Sequence, residues 1–308
     1  MGSEGTDTLI FQVDGIDHEI ELDNSFAPKT LSKTLACLPA SIDIHCAKIA
    51  GSHIMWPVPF LAKVEKASDV LSMPPGAFFF WPERQYLEIT YDELQAETAA
   101  ISYLGRLKGD VGWLRDYAER NRQQQGREIF SARLFVKGSD GLDGVDPKPG
   151  NDTPWGRLHF ARVAAWQEQP QDVDNLLARR GLNIPYGPLS MAESEARKLH
   201  ELLWRLWNDE ERYQDEQKST IAAFAIEAAI TRIGGFCHMT GVGARLEDGL
   251  AILQSGDIPL TDGLEELVLY IGRIAAWLDL HICWWPMNEV TRSAIEGLPI
   301  TNNLADAQ

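Results

Sequence analysis

Residues 137–156, KGSDGLDGVDPKPGNDTPWG, put five glycines and three prolines into twenty positions. Glycine raises the entropy cost of ordering backbone, and proline removes a donor and fixes φ, so such a stretch resists both helix and sheet. It divides the chain into two parts with different periodicities. Before it, apolar and polar residues alternate in short runs, the period of strands. After it, apolar residues recur every three or four positions, the period of helices. The pattern predicts an α+β chain: a β-barrel domain with short helices over 1–137, a linker or surface loop over 138–156, and an α-helical domain over 157–308. Asp140, Asp143 and Asp146 recur every third residue, which misses the alternate-residue ligand pattern of a calcium loop, and no glutamate closes the run.

In the first part, Leu9, Phe11 and Val13 alternate with polar neighbours, as do Ile16 and Ile20. Asp14-Gly15 between the two runs predicts a two-residue hairpin turn. Pro28 suits the first turn of a helix carrying Leu31, Leu35 and Leu38. Strands are expected over 42–50, 62–66, 77–81, 86–91, 100–107 and 129–136. Pro57 and Pro59 make the run 54–61 an edge or a loop. Residues 68–76 read as a connection and 94–98 as a loop, and a helix is expected over 112–125. Seven or eight short strands with two helices predict a barrel with helical caps.

In the second part, helices are expected over 157–167 and 172–180. Ser190-Met-Ala-Glu193 fits a capping box and predicts a long helix running from there towards Gln217. Residues 219–233 are apolar almost all round, the pattern of a central buried helix. Leu264, Leu267, Val268, Ile271, Ile274, Ala275 and Leu278 mark an amphipathic one. His238, in GGFCHMTGVG, reads either as a pocket residue at a helix end or as part of a helix stop.

The formal net charge is −17, with 45 acidic and 28 basic residues. A surface of that sign repels phosphate backbones, so nucleic acid is not an expected partner. No apolar run approaches the ~20 residues of a membrane span, and the N-terminus lacks the layout of a secretory signal. A cytoplasmic location without membrane attachment is therefore expected. Cys37, Cys46, Cys237 and Cys283 form no CxxC pair, and free buried thiols are expected. No Walker-type GK[ST], GxSxG or HExxH occurs, and the seven histidines stand singly, so no metal site is expected.

Chemistry-bearing residues concentrate instead in 44–110. His45, Lys48, Arg84, Glu88 and Glu97 fall on or beside the expected strands, among Trp56, Trp81, Tyr86 and Tyr91. On strand 86–91, Tyr86, Glu88 and Thr90 share one face, and Leu87, Ile89 and Tyr91 the other. If the second set faces the core, Glu88 is exposed; a barrel with a polar pocket reverses this. Lys48 shares its face with Ile42, Ile44 and Cys46, an expensive place for an unpaired charge.

Ala27-Pro-Lys-Thr30 with Leu38-Pro39, then CAKIAG from Cys46, PPG from Pro74, WP at Trp81, YLEITYDEL from Tyr86 and YLGRLKGD from Tyr103 resemble a cyclophilin-like domain family over roughly 8–136. The Phe-His-Arg and Gln-Gly-Gly-Asp signatures of prolyl isomerases are absent, so isomerase activity is not implied. A cyclophilin-like barrel followed by a helical domain of this length is similar to the Pictet–Spenglerases: cucumopine and mikimopine synthases and bacterial β-carboline-forming cyclases. The resemblance implies cofactor-independent condensation of an aromatic amine, of tryptophan, tryptamine or histidine type, with an aldehyde or α-keto acid. A glutamate would remove the ring proton. The candidates for it are Glu97, then Glu88. Lys48, Arg84 and His45 are the candidates for holding substrate carboxylates, and Trp56, Trp81, Tyr86 and Tyr91 for walling the cationic intermediate.

Two other readings fit the same residues: a hydrolase or lyase of small cyclic amides in which Glu97 activates water, and a non-catalytic peptide-binding scaffold. The apolar helical half also predicts a homodimer, through Leu264–Leu278 or the face of Trp204 and Trp207.

Overall fold

The computed structural model describes residues 8–48, 51–95, 99–139, 152–179 and 186–297. All ten strands among them belong to one antiparallel sheet. β1 (Thr8–Val13) and β2 (Ile16–Leu22) form the expected hairpin. Asp14 and Gly15 sit at φ 51° and 77°, the left-handed pair that a two-residue turn requires. α1 (Pro28–Ala36) follows. β3 (Ala40–Asp43) and β4 (His45–Cys46) are two halves of one segment with different partners. β3 pairs with β10 (Ser131–Val136) and β4 with β5 (His53–Pro57). The strand order β3-β10-β1-β2-β9-β7-β8-β5-β4 is thus closed covalently through Ile44, whose N–H donates to the Phe130 carbonyl. The result is an antiparallel barrel with no long open edge. Its remaining strands are β6 (Ala67–Asp69), β7 (Ala77–Trp81), β8 (Tyr86–Thr90) and β9 (Ala100–Leu107). The expected strand over 62–66 does not form; the pairing falls on β6, directly after it, against β9. α2 (Gly112–Gln124) lies where expected.

The inside of the barrel is filled. Trp56 stacks between Phe11 and Phe78, with ring centroids 5.6 and 6.2 Å away. Leu87, Ile89 and Tyr91 join Ile54, Phe80 and Leu104 in the same core. Because side chains alternate along a strand, Tyr86, Glu88 and Thr90 point to the outside of the wall.

The helical region contains α3 (Pro154–Gln167), α4 (Gln171–Leu177), α5 (Tyr186–Asn208), α6 (Asp215–Ala229), α7 (Thr240–Ser255), α8 (Leu260–Leu280) and α9 (Trp284–Glu296), with a π-helical turn over Ile230–Phe236. Three expectations need correction. α5 begins before Ser190, so Ser190 and Glu193 lie inside a helix rather than at its cap, and α5 ends at Asn208. α6 is not the central helix: Phe224 is 77% exposed. That place belongs to α8, where every residue from Gly263 to Leu280 is buried except Glu265. Leu264–Leu278 therefore packs within the chain and is not available as a dimer face. α6 with the π turn is long and apolar enough, by length and composition, to cross a membrane. Here it packs on α5 and α7. His238 follows the π turn, exposed and at φ 55°, the geometry of a helix stop. All four cysteines are free, and all but the half-buried Cys37 are buried. Most of the expected linker, 140–151, lies outside the described residues, as does Glu97.

Candidate functional site

Glu88 points away from the barrel core and is nevertheless only 1% exposed. The outer face of β5 and β8 is covered by the helices, so a position that strand alternation assigns to solvent becomes interior. Its Oε2 lies 3.4 Å from His53 Nε2, across the β5–β8 pairing. Burial, with the cations of Arg122 and Arg84, pushes His53 down to about 4, so the ring is neutral near pH 7.

Tyr86, two residues earlier, receives a hydrogen bond from Arg197 on α5 at 3.1 Å. Burial works against the Arg197 charge, but Tyr86 and Glu193 outweigh it and raise its pKa above the usual guanidinium value. Gln85 takes a left-handed φ of 59° in the turn between β7 and β8. That turn aims its amide at the Val58 carbonyl, as donor, while its Oε1 lies 3.2 Å from His200 Nε2. Gly272 on α8 makes room for this pair. A Cβ there would meet His200 Cδ2 at 2.6 Å and Gln85 Oε1 at 3.0 Å.

The segment that closes the barrel supplies a second group. His45 Nδ1 lies 2.7 Å from Asp279 Oδ2, at the end of α8. Lys48 Nζ contacts Asp279 Oδ1 and stands 3.9 Å from Glu193. Trp284 Nε1 donates to Asp279 Oδ1 at 3.0 Å, and Lys48 lies over the Trp284 ring, 5.3 Å from its centroid. Burial lowers the His45 pKa well below the ordinary value, aided by the cations of Lys48, Arg273 and Arg197. The neutral ring donates through Nδ1 to the carboxylate.

A cleft of about 530 Å³ opens between the β7–β8 turn and α5. Trp81, Arg84, Glu201, Trp204, Ala99 and Ala100 border it. Arg84 lies over Trp81, 5.6 Å from the ring centroid, and 3.5 Å from Glu201. Its charge reaches Lys48, His53 and His200, lowering the pKa of all three. A separate cavity of about 250 Å³ meets the barrel wall at Trp56 and Leu87, beside Asp43 and Arg273.

Of the residues expected from the sequence, His45, Lys48, Arg84, Glu88, Trp81 and Tyr86 lie on the outer, helix-covered side. Trp56 and Tyr91 do not. Both belong to the barrel core, on the opposite face of the wall from Glu88, because β8 and β5 turn their larger apolar set inward. The Tyr91 hydroxyl accepts from Arg122 at 2.5 Å instead. Asp279, Glu193, Arg197, His200 and His53 were not anticipated. Only His53 had a local signal, at the start of an apolar run; the others join through contacts more than 100 residues away in sequence. Among the described residues, no group of three or more His, Cys, Asp or Glu side chains could hold a metal ion.

An antiparallel barrel wall roofed by helices defines the class of fold. A particular protein shares it: the structure of McbB in complex with tryptophan matches with a TM-score of 0.71 at 16% identity, over 92% of this chain and 99% of that one. A hypothetical protein from Archaeoglobus fulgidus matches at a TM-score of 0.33 and 18% identity, over 44% of this chain and 98% of that one. No protein-family model matches the chain, and no curated protein matches it.

Proposed function

We propose that the chain is a Pictet–Spenglerase that condenses an aromatic amine or amino acid of tryptophan, tryptamine or histidine type with an aldehyde or α-keto acid. The observation that carries this reading is the likeness to McbB, which spans both barrel and helices and whose structure holds tryptophan. It agrees with the resemblance of the whole arrangement, a barrel followed by a helical domain, to the same group of enzymes.

The chemistry has three demands. Amine and carbonyl lose water to form an iminium, the ring attacks it, and a base takes the ring proton. Glu97 or Glu88 is the proposed base. Glu88 has the burial that such a base needs to be kept from bulk water, beside a neutral His53. Trp81 supplies a ring face for the cationic intermediate, and Arg84 a guanidinium for a substrate carboxylate. The test is mass spectrometry of purified protein incubated with tryptophan, tryptamine or histidine and a panel of aldehydes and keto acids. A tetrahydro-ring product that depends on folded protein is expected. Its absence across the panel would sink the proposal.

A further inference from the structure

We infer that Lys48 is a covalent catalyst whose Nζ forms an imine with the carbonyl substrate before the amine substrate takes it over. This rests on the Pictet–Spengler reading and names a role for a lysine that the three demands above do not require.

The surroundings of Lys48 fit poorly with holding a substrate carboxylate. Asp279 already contacts Nζ and Glu193 stands 3.9 Å away, so a third carboxylate would crowd one cation. They fit an amine that gains and loses protons. Among the described residues, the charged and titratable groups around it include His45 and Cys46 on its own segment, Asp279 on α8, Glu193 and Arg197 on α5, and Arg84 from the β7–β8 turn. Asp279 divides its charge among three donors, His45, Lys48 and Trp284. Burial, opposed by Glu193 and reinforced by Arg197 and Arg84, pushes the Lys48 pKa down to about 7. An amine with that pKa is about half neutral at pH 7, against a few parts in ten thousand for an ordinary lysine. Its side chain remains 21% exposed, so it is in contact with solvent. The Trp284 ring face under Nζ suits the positive charge of an iminium.

The step balances without an oxidant or reductant. Neutral Nζ attacks the carbonyl carbon, and the C=O pair moves to oxygen, which is protonated. The carbinolamine then loses water, with Asp279 and Glu193 at hand as proton carriers, to leave a protonated C=N bond. The substrate amine adds to that carbon, and Lys48 departs as the free amine. The net change is amine plus carbonyl to iminium plus water.

The test is reductive trapping of the wild-type protein at pH 7 with sodium cyanoborohydride and pyruvate or, separately, acetaldehyde, followed by peptide mapping. The Lys48 peptide is expected to carry at least ~10-fold more adduct than peptides of exposed lysines such as Lys108 and Lys137. The adduct at this site should vanish in Lys48→Arg, with the fold of the variant checked by circular dichroism. Adduct confined to exposed lysines, with Lys48 unlabelled, overturns the inference. Cyclised product formed by a protein that never labels Lys48 would remove the lysine's role and leave the Pictet–Spengler reading intact. A Lys48 adduct with no cyclised product from any amine would support the imine and remove the Pictet–Spengler reading.

Discussion

His45 Nδ1 and Asp279 Oδ2 meet at 2.7 Å, 234 residues apart in sequence. The contact ties the segment that closes the barrel to the end of the most buried helix. Asp279 also binds Lys48 and Trp284, so one carboxylate holds three pieces of chain. Breaking a buried pair strands its partners, at about 3–5 kcal/mol. Asp279→Asn should lower unfolding free energy in urea by about 3 kcal/mol. The exposed Lys63–Glu210 pair is the contrast: Glu210→Gln should leave the urea midpoint close to that of the wild type. Equal effects would contradict the structural role given to Asp279.

Protonation gives a second handle. His53 and His200 are pushed down to about 4 and about 3 in the folded chain, both first by burial. Each titrates near 6.5 when unfolded. Below that pH the unfolded state binds protons that the folded state refuses. Their contribution is therefore complete above pH 6.5 and is lost as pH falls towards 4. The loss for His53 is of order 3 kcal/mol. Urea midpoints measured from pH 7.5 to 4 should fall, and His53→Gln should flatten part of the slope. A midpoint independent of pH over that window would exclude two neutral buried histidines.

The two faces of the barrel wall predict different consequences for two tryptophans. Trp56 is 1% exposed and stacked inside the barrel. Trp56→Ala should cost about 3–5 kcal/mol. Trp81 borders the cleft with Arg84. Trp81→Phe should alter stability by about 1 kcal/mol or less, and should raise KM for the aromatic amine. Steady-state kinetics alongside urea unfolding distinguishes the two, and a kinetic defect confined to the Trp56 variant would reverse the assignment.

Gly272 tests how tightly the helices are pressed on the site. Its missing Cβ leaves room for His200 and Gln85. Gly272→Ala forces both to move, at about 1–3 kcal/mol. Urea unfolding of this variant at the wild-type midpoint would show slack in the contact.

Local chemistry was legible where partners are near in sequence. The Asp14-Gly15 hairpin follows from turn geometry alone, and the alternation of Leu87, Ile89 and Tyr91 against Tyr86, Glu88 and Thr90 correctly separates two faces. What alternation cannot reveal is a second layer. Glu88 read as exposed if Leu87 faced the core, yet Leu87 does face the core and Glu88 is buried, because helices about a hundred residues later cover it. The same blindness exchanged α6 and α8. The run 219–233 is apolar but leaves Phe224 in solvent, whereas α8 buries even Glu266, Arg273 and Asp279 through partners on other elements. A buried charge is readable only once its partner is known, and Asp279 has its partners at both 5 and 234 residues' distance.

The central claim is that a ring proton leaves to a glutamate after the new carbon–carbon bond forms. The direct measurement uses tryptophan, tryptamine or histidine deuterated at the ring carbon that attacks, with product masses followed for wild type, Glu97→Gln and Glu88→Gln. A cyclised product that has lost the deuteron is predicted, with kcat lowered about 10²–10⁴-fold in the variant that lacks the base. Labelled amine recovered unchanged with every carbonyl, or product formed at wild-type rate by both variants, would contradict the account.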